Sequence, residues 1–119
     1  MQPPLDLKQL QDFVRQFCED RDWNQFHTPK DLAIGISTEA AELLDLFRFK
    51  SEDQIKDLLH KPDSRKKIEN ELADVFFFVL RFAERNGINL SHALQTKMQL
   101  NAEKYPVATS RGSNKKYNE

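Results

Sequence analysis

The chain has 119 residues, a formal net charge of −1, 39% apolar and 31% charged residues, three glycines and one cysteine. That length suits one domain with a real core, and the near-neutral balance excludes a charge-driven nucleic-acid polymer or membrane surface. The lone Cys18 excludes an intrachain disulfide and fits a reducing cytoplasm, and no leader or membrane-spanning run is visible, so a soluble cytoplasmic protein is expected.

Few glycines and no alternating β-branched runs predict an all-α protein. Residues 1–4 read as a frayed end. Leu7, Leu10, Phe13, Val14 and Phe17 recur at helical spacing, predicting a first amphipathic helix over 5–22 that Asp6 can cap. Cys18 reads as a small buried hydrophobe, since no basic neighbour is evident to activate it as a nucleophile. The stretch 23–30 reads as a loop. Trp23, Phe26 and His27 offer either aromatic walls for a planar base or a staple that fixes the loop to the helices, and pattern alone favours the staple.

Thr28, Pro29 and Asp31 form a helix start: a cap, a proline at the first helical position, then an acid. The second helix is expected over 29–49, with Leu32, Ile36, Leu43, Leu46 and Phe47 on its apolar face. Small Gly35, Ala40 and Ala41 would let another helix approach. A short helical piece follows over 51–60, then a break at 61–64 with Asp63 or Ser64 as the next cap. The third long helix, to about Asn86, contains the apolar run from Val75 to Leu80. That run covers most of the helix circumference, so it must be buried on several sides, and a helical subunit interface is expected there. Asn86-Gly87 ends this helix. Asn89 or Ser91 starts the fourth, over 90–104, with Leu94, Met98 and Tyr105 turned inward. Pro106 stops it, and 106–119 reads as a mobile, polar, basic tail within a single domain.

The chemistry concentrates in two acid pairs, Glu39–Glu42 and Glu71–Asp74. Each has i, i+3 spacing, which places both carboxylates on one helix face. Both pairs lie beside apolar stripes, where ionised groups are costly without a counter-charge, and no basic residue stands next to them. Four converging carboxylates call for a hard divalent cation: Mg²⁺, with Mn²⁺ as a substitute. Lys97, Asn101 and Lys104 form one polar stripe, which is either a solvated face or a phosphate clamp. A di-iron bundle is disfavoured, because no histidine follows either acid pair at the required spacing. The competing class is a non-catalytic helical metal-binding or interaction protein whose acids are surface charge.

Taken together, Glu39-x-x-Glu42, Glu71-x-x-Asp74 and Lys97-x-x-x-Asn101-x-x-Lys104-Tyr105-Pro106 resemble the motifs of the MazG-like, all-α nucleoside triphosphate pyrophosphohydrolases. Arg21 to His27, and the tail with Ser110-Arg111-Gly112-Ser113 and Lys116-Tyr117, resemble the dCTP pyrophosphatase branch. The resemblance implies a four-helix bundle assembled as a homo-oligomer, with a tetramer favoured over a dimer. It also implies hydrolysis of a nucleoside triphosphate to monophosphate and pyrophosphate. By the same resemblance, Glu39, Glu42, Glu71 and Asp74 would hold the metal, with Glu39 as the water-orienting base. Lys97, Asn101, Lys104, Tyr105 and Arg85 would meet the phosphates, and Trp23, His27, Phe49 and Phe78 would border the base and sugar. Phe49 stands where dCTP-specific relatives tend to have Trp, Phe78 where they have Tyr, and Val14 where some have His. These departures imply a wider deoxynucleotide range, extending to dATP or modified bases.

Overall fold

The computed structural model describes residues 3–119, and every regular element among them is helical: α1 Leu7–Asp20, α2 Pro29–Asp45, α3 Glu52–His60, α4 Pro62–Arg85, α5 Leu90–Lys104 and α6 Val107–Ser110. Pro3 to Leu5 have no regular structure, and Met1 and Gln2 of the expected frayed end lie outside the described residues. The chain divides into two compact units, Met1–Gly87 with α1 to α4 and Ile88–Glu119 with α5 and α6. No described helix is long and apolar enough to cross a membrane.

Local chemistry sets the boundaries. Asp6 and Gln9 close a reciprocal capping box on α1, with bonds of 2.8 and 2.9 Å. The helix ends two residues earlier than its apolar spacing predicts, because Asp22 takes a left-handed conformation (φ 54°). The amide of Trp23 then donates to Cys18 O and that of Asp22 to Glu19 O, a Schellman closure that turns Trp23 back onto Phe17. Thr28 and Pro29 start α2 as expected, with Thr28 Oγ1 accepting from the amide of Asp31 at 3.2 Å. The same holds for Asn89, whose side chain accepts from the amide of His92, and for Gly87, left-handed after α4.

The start of α4 differs from expectation. It begins at Pro62, with Lys61 at the cap and no side-chain cap bond. Proline needs no partner for an amide it lacks and arrives with a helical φ, so a polar cap is dispensable. Ser64 instead donates back to Leu58 O at 2.6 Å, tying α3 to α4.

Within the first unit α4 packs against α1, α2 and α3. Phe78 of α4 lies on Gly35 of α2: a Cβ there would meet the ring at 2.5 Å. Only a residue without a side chain allows this approach. The other recorded point of meeting, Glu39 and Glu42 against Glu71, lies toward higher numbers on α2 and lower numbers on α4, so the helices run antiparallel. The buried apolar residues are Cys18, Leu32, Leu80 and Ala83. Phe13 of the expected α1 face is exposed, as are Leu94 and Met98 of α5, which were expected to turn inward. Periodicity identifies an apolar stripe on α5, but within its own unit that helix has only the four-residue α6 beside it, too little to cover the stripe.

Candidate metal centre and neighbouring loop

One to two turns from the Gly35–Phe78 contact, α2 presents Glu39 and Glu42 while α4 presents Glu71, and one oxygen of each lies within 4.8 Å of the others. Glu39 and Glu71 are half-buried, Glu42 exposed. Oε2 of Glu39 and Oε2 of Glu71 are buried without a hydrogen-bond partner. No ion pair among the described residues engages any of the three, or Asp74. Like charges crowded in this way resist ionisation. Burial pushes the Glu39 carboxyl up to about 7, helped by the neighbouring Glu42 carboxylate and the charges of Asp74 and Glu71. Glu71 is raised too, by burial, the neighbouring Glu42 carboxylate and the charge of Asp74. Asp74 thus contributes negative potential from one turn along α4, although it is exposed and lies outside the group of three oxygens. Unpartnered buried oxygens in an all-carboxylate set match the needs of a hard divalent cation. The residues fit that group.

Toward the other end of α4, Arg81 is fully buried. Its Nε donates to His27 Nδ1 at 2.8 Å, one terminal nitrogen donates to Glu84 at 2.6 Å, and the other donates to the Asn24 side chain. Arg85 adds a 3.3 Å bond to Asn24 O. The 23–27 loop is therefore fastened to α4 by two arginines. Arg85, expected at the phosphates, is engaged here. Trp23 meets Phe17 edge-on at 5.6 Å and His27 at 5.9 Å, and Phe17 in turn meets Phe77 at 6.3 Å. The staple is real for Trp23, but Phe26 is 60% exposed and takes no part in it. Burial, Arg81 and Arg85 lower the pKa of His27, opposed by Asp31 and Glu84. Burial raises that of Cys18, as suits an inert thiol.

Sequence reasoning missed Arg81. The signal was available: an arginine between Leu80 and Phe82 interrupts an apolar segment, and Glu84 follows at i+3.

The remaining predicted residues occupy separate surroundings. Phe78 is half-buried on Gly35. Phe49 is 92% exposed with φ 64°, a strained backbone for an aromatic residue, and Arg48 lies over its ring at 4.6 Å. It borders a hollow of about 330 Å³ with Lys50, Gln54 and Lys61. In the second unit, Lys97 is exposed and Asn101 half-buried. Lys104 lies 4.9 Å over the ring of Tyr117, which meets Tyr105 edge-on at 6.0 Å. Lys104, Tyr105, Ser110, Ser113, Lys115 and Lys116 help line a hollow of about 180 Å³.

Residues 34–119 match the MazG-like family. The chain is 35% identical to dCTP pyrophosphatase 1 of Rattus norvegicus, covering 97% of this chain and 68% of the relative. It is 32% identical to dCTP pyrophosphatase 1 of Homo sapiens, covering 98% and 69%. A crystal structure of a pyrophosphatase from Archaeoglobus fulgidus superposes with a TM-score of 0.78 at 36% identity, covering 89% of this chain and 97% of that one.

Proposed function

The chain belongs to the MazG-like family, and from that premise we propose that it is a Mg²⁺-dependent enzyme converting a deoxynucleoside triphosphate to its monophosphate and pyrophosphate. The reaction class is that of a nucleoside triphosphate diphosphatase. It is supported by relatives named dCTP pyrophosphatase 1 and a structural neighbour named a pyrophosphatase. The observation that carries the proposal is the meeting of Glu39, Glu42 and Glu71 with two buried, unpartnered oxygens among them. A solvated acid face has no cause to bury such oxygens.

Glu39, Glu42, Glu71 and Asp74 hold the cation, Mg²⁺ by preference and Mn²⁺ as a substitute. When bound, the cation neutralises phosphate oxygens and the charge growing on the pyrophosphate leaving group. Glu39 orients the water that attacks the α-phosphorus, in line with the departing pyrophosphate. Lys97, Asn101, Lys104 and Tyr105 take the phosphates by charge-assisted bonds. Trp23 and His27 border the base and sugar together with Phe49 and Phe78. dCTP is the favoured substrate, with dATP and modified deoxynucleotides admitted because Phe49 and Phe78 supply neither an indole wall nor a hydroxyl.

The working form is a homo-oligomer, a tetramer by preference. Leu72 and Phe76 of α4 are 56% and 44% exposed. With Ala73, Val75 and Val79 they line an apolar groove of about 500 Å³ that a second copy would cover. A monomeric mass in light scattering would remove this assignment.

A pyrophosphate-release assay across all common nucleoside triphosphates, with the nucleotide product identified, tests the activity. Monophosphate and pyrophosphate in equal amounts, abolished by EDTA and restored by Mg²⁺, is the expected result. Turnover that survives chelation, or a diphosphate product, would exclude it.

A further inference from the structure

A buried arginine is tolerated only where its donors are satisfied, so its partners reveal what it is for. Every arm of Arg81 is engaged: Nε by His27, one terminal nitrogen by Glu84, the other by Asn24. Two of those partners belong to the 23–27 loop, whereas Glu84 is one turn along α4 itself. Arg81 has no exposed surface, so it cannot touch a substrate. It acts through what it holds.

What it holds is an imidazole in a defined state. Guanidinium has donors only, so His27 Nδ1 must supply a lone pair. A neutral ring that accepts at Nδ1 carries its proton on Nε2. His27 is half-buried, and no hydrogen bond to a described residue engages its Nε2. Rotation of the ring is restricted by Trp23, whose indole lies edge-on at 5.9 Å.

We infer that Arg81 is a positioning residue that fixes His27 as an Nε2–H donor, so that the site selects a hydrogen-bond acceptor, a ring nitrogen or carbonyl, on the substrate's base or sugar. This rests on the reading that His27 borders the base. Asn24 is the second half of the device: its side chain takes one arm of Arg81 and its carbonyl takes Arg85, fixing the loop on both sides of the guanidinium. A donor at this position favours substrate atoms with a free lone pair and disfavours an exocyclic amino group in the same place.

Two measurements test this. Long-range ¹H–¹⁵N spectra of the ligand-free protein report the tautomer directly. Wild type should show His27 protonated on Nε2, and Arg81→Met should show a mixture of tautomers. Steady-state kinetics on the preferred deoxynucleotide should then give Arg81→Met a KM raised about tenfold, as for one lost hydrogen bond, with kcat little changed. Arg81→Lys, which keeps one donor, should recover part of that loss. Asn24→Ala, which leaves the charge in place, should raise KM by a smaller factor and serves if Arg81→Met does not fold. An Nδ1–H tautomer in wild type overturns the inference. A raised KM in His27→Ala beside an unchanged KM in Arg81→Met or Asn24→Ala overturns the positioning role alone. An unchanged KM in His27→Ala overturns the reading of the base pocket, while the tautomer measurement stands independently of it.

Discussion

Near the middle of α4, Glu71 faces Glu39 and Glu42, and no ion pair among the described residues engages them; about three turns further along, Arg81 is buried with each of its three nitrogens engaged. Both regions put ionisable groups where water is scarce, and they settle the cost differently. The acidic region concentrates one sign of charge and leaves oxygens bare, so its cost is offset by protons or by a bound cation. The arginine end is complete in itself and converts its charge into the shape of a loop. The contrast separates a group kept for a ligand from a group kept for architecture, and it predicts that the same kind of substitution acts oppositely at the two ends.

The largest effect belongs to the acids. Glu42→Gln or Asp74→Asn should lower turnover by roughly a thousandfold, about 4 kcal/mol of lost transition-state stabilisation, with fold and oligomer intact. Glu71→Gln should do the same and also raise the melting temperature of the metal-free protein, because it removes a like charge. Full activity in Glu42→Gln or Asp74→Asn would sink the metal assignment. At the other end Arg81→Met should cost about 3 kcal/mol of stability, since it strands Glu84, Asn24 and His27, and urea unfolding reads this as a lower midpoint. A stabilised Arg81→Met would erase the contrast. Mg²⁺ at a hundred times its Kd should stabilise wild type by about 2.7 kcal/mol and leave the melting of Glu39→Gln nearly unmoved.

The smallest effect is on pH. Glu39 has a folded pKa of about 7 against an ordinary 4.5. The folded state therefore binds that proton more tightly than the unfolded chain does. Its stabilising contribution is complete below the ordinary value and is lost as pH rises through the folded one. In EDTA, the difference in melting temperature between wild type and Glu39→Gln should accordingly move against wild type between about pH 4.5 and 7. With Mg²⁺ the trend should reverse, because the cation displaces the proton.

Much of this was legible in the order of the residues. The cap at Thr28-Pro29, the stop at Asn86-Gly87, the small Gly35 of α2 and three of the four paired acids express local rules, and they hold in the structure. What escaped depends on partners far along the chain. Arg81 reads as a nuisance inside an apolar run until Asn24 and His27, 57 and 54 residues away, come to meet it. Leu94 and Met98 read as core because period alone says which residues share a face and not whether anything covers that face. The exposure of Phe49 likewise follows from a left-handed backbone that no propensity for phenylalanine anticipates.

Gly35 carries a further consequence. It lies one turn before Glu39, and Phe78, which rests on it, lies one turn after Asp74. The gap between the acid pairs is therefore gauged by an atom that is not there. Oxygen ligands sit at about 2.0–2.1 Å from Mg²⁺ and about 2.3–2.6 Å from Ca²⁺, so a few tenths of an ångström of helix separation spans the difference between the two ions. A residue with no side chain, one turn from the nearest acid, would thereby set the spacing of the ligands around any ion held between the two helices.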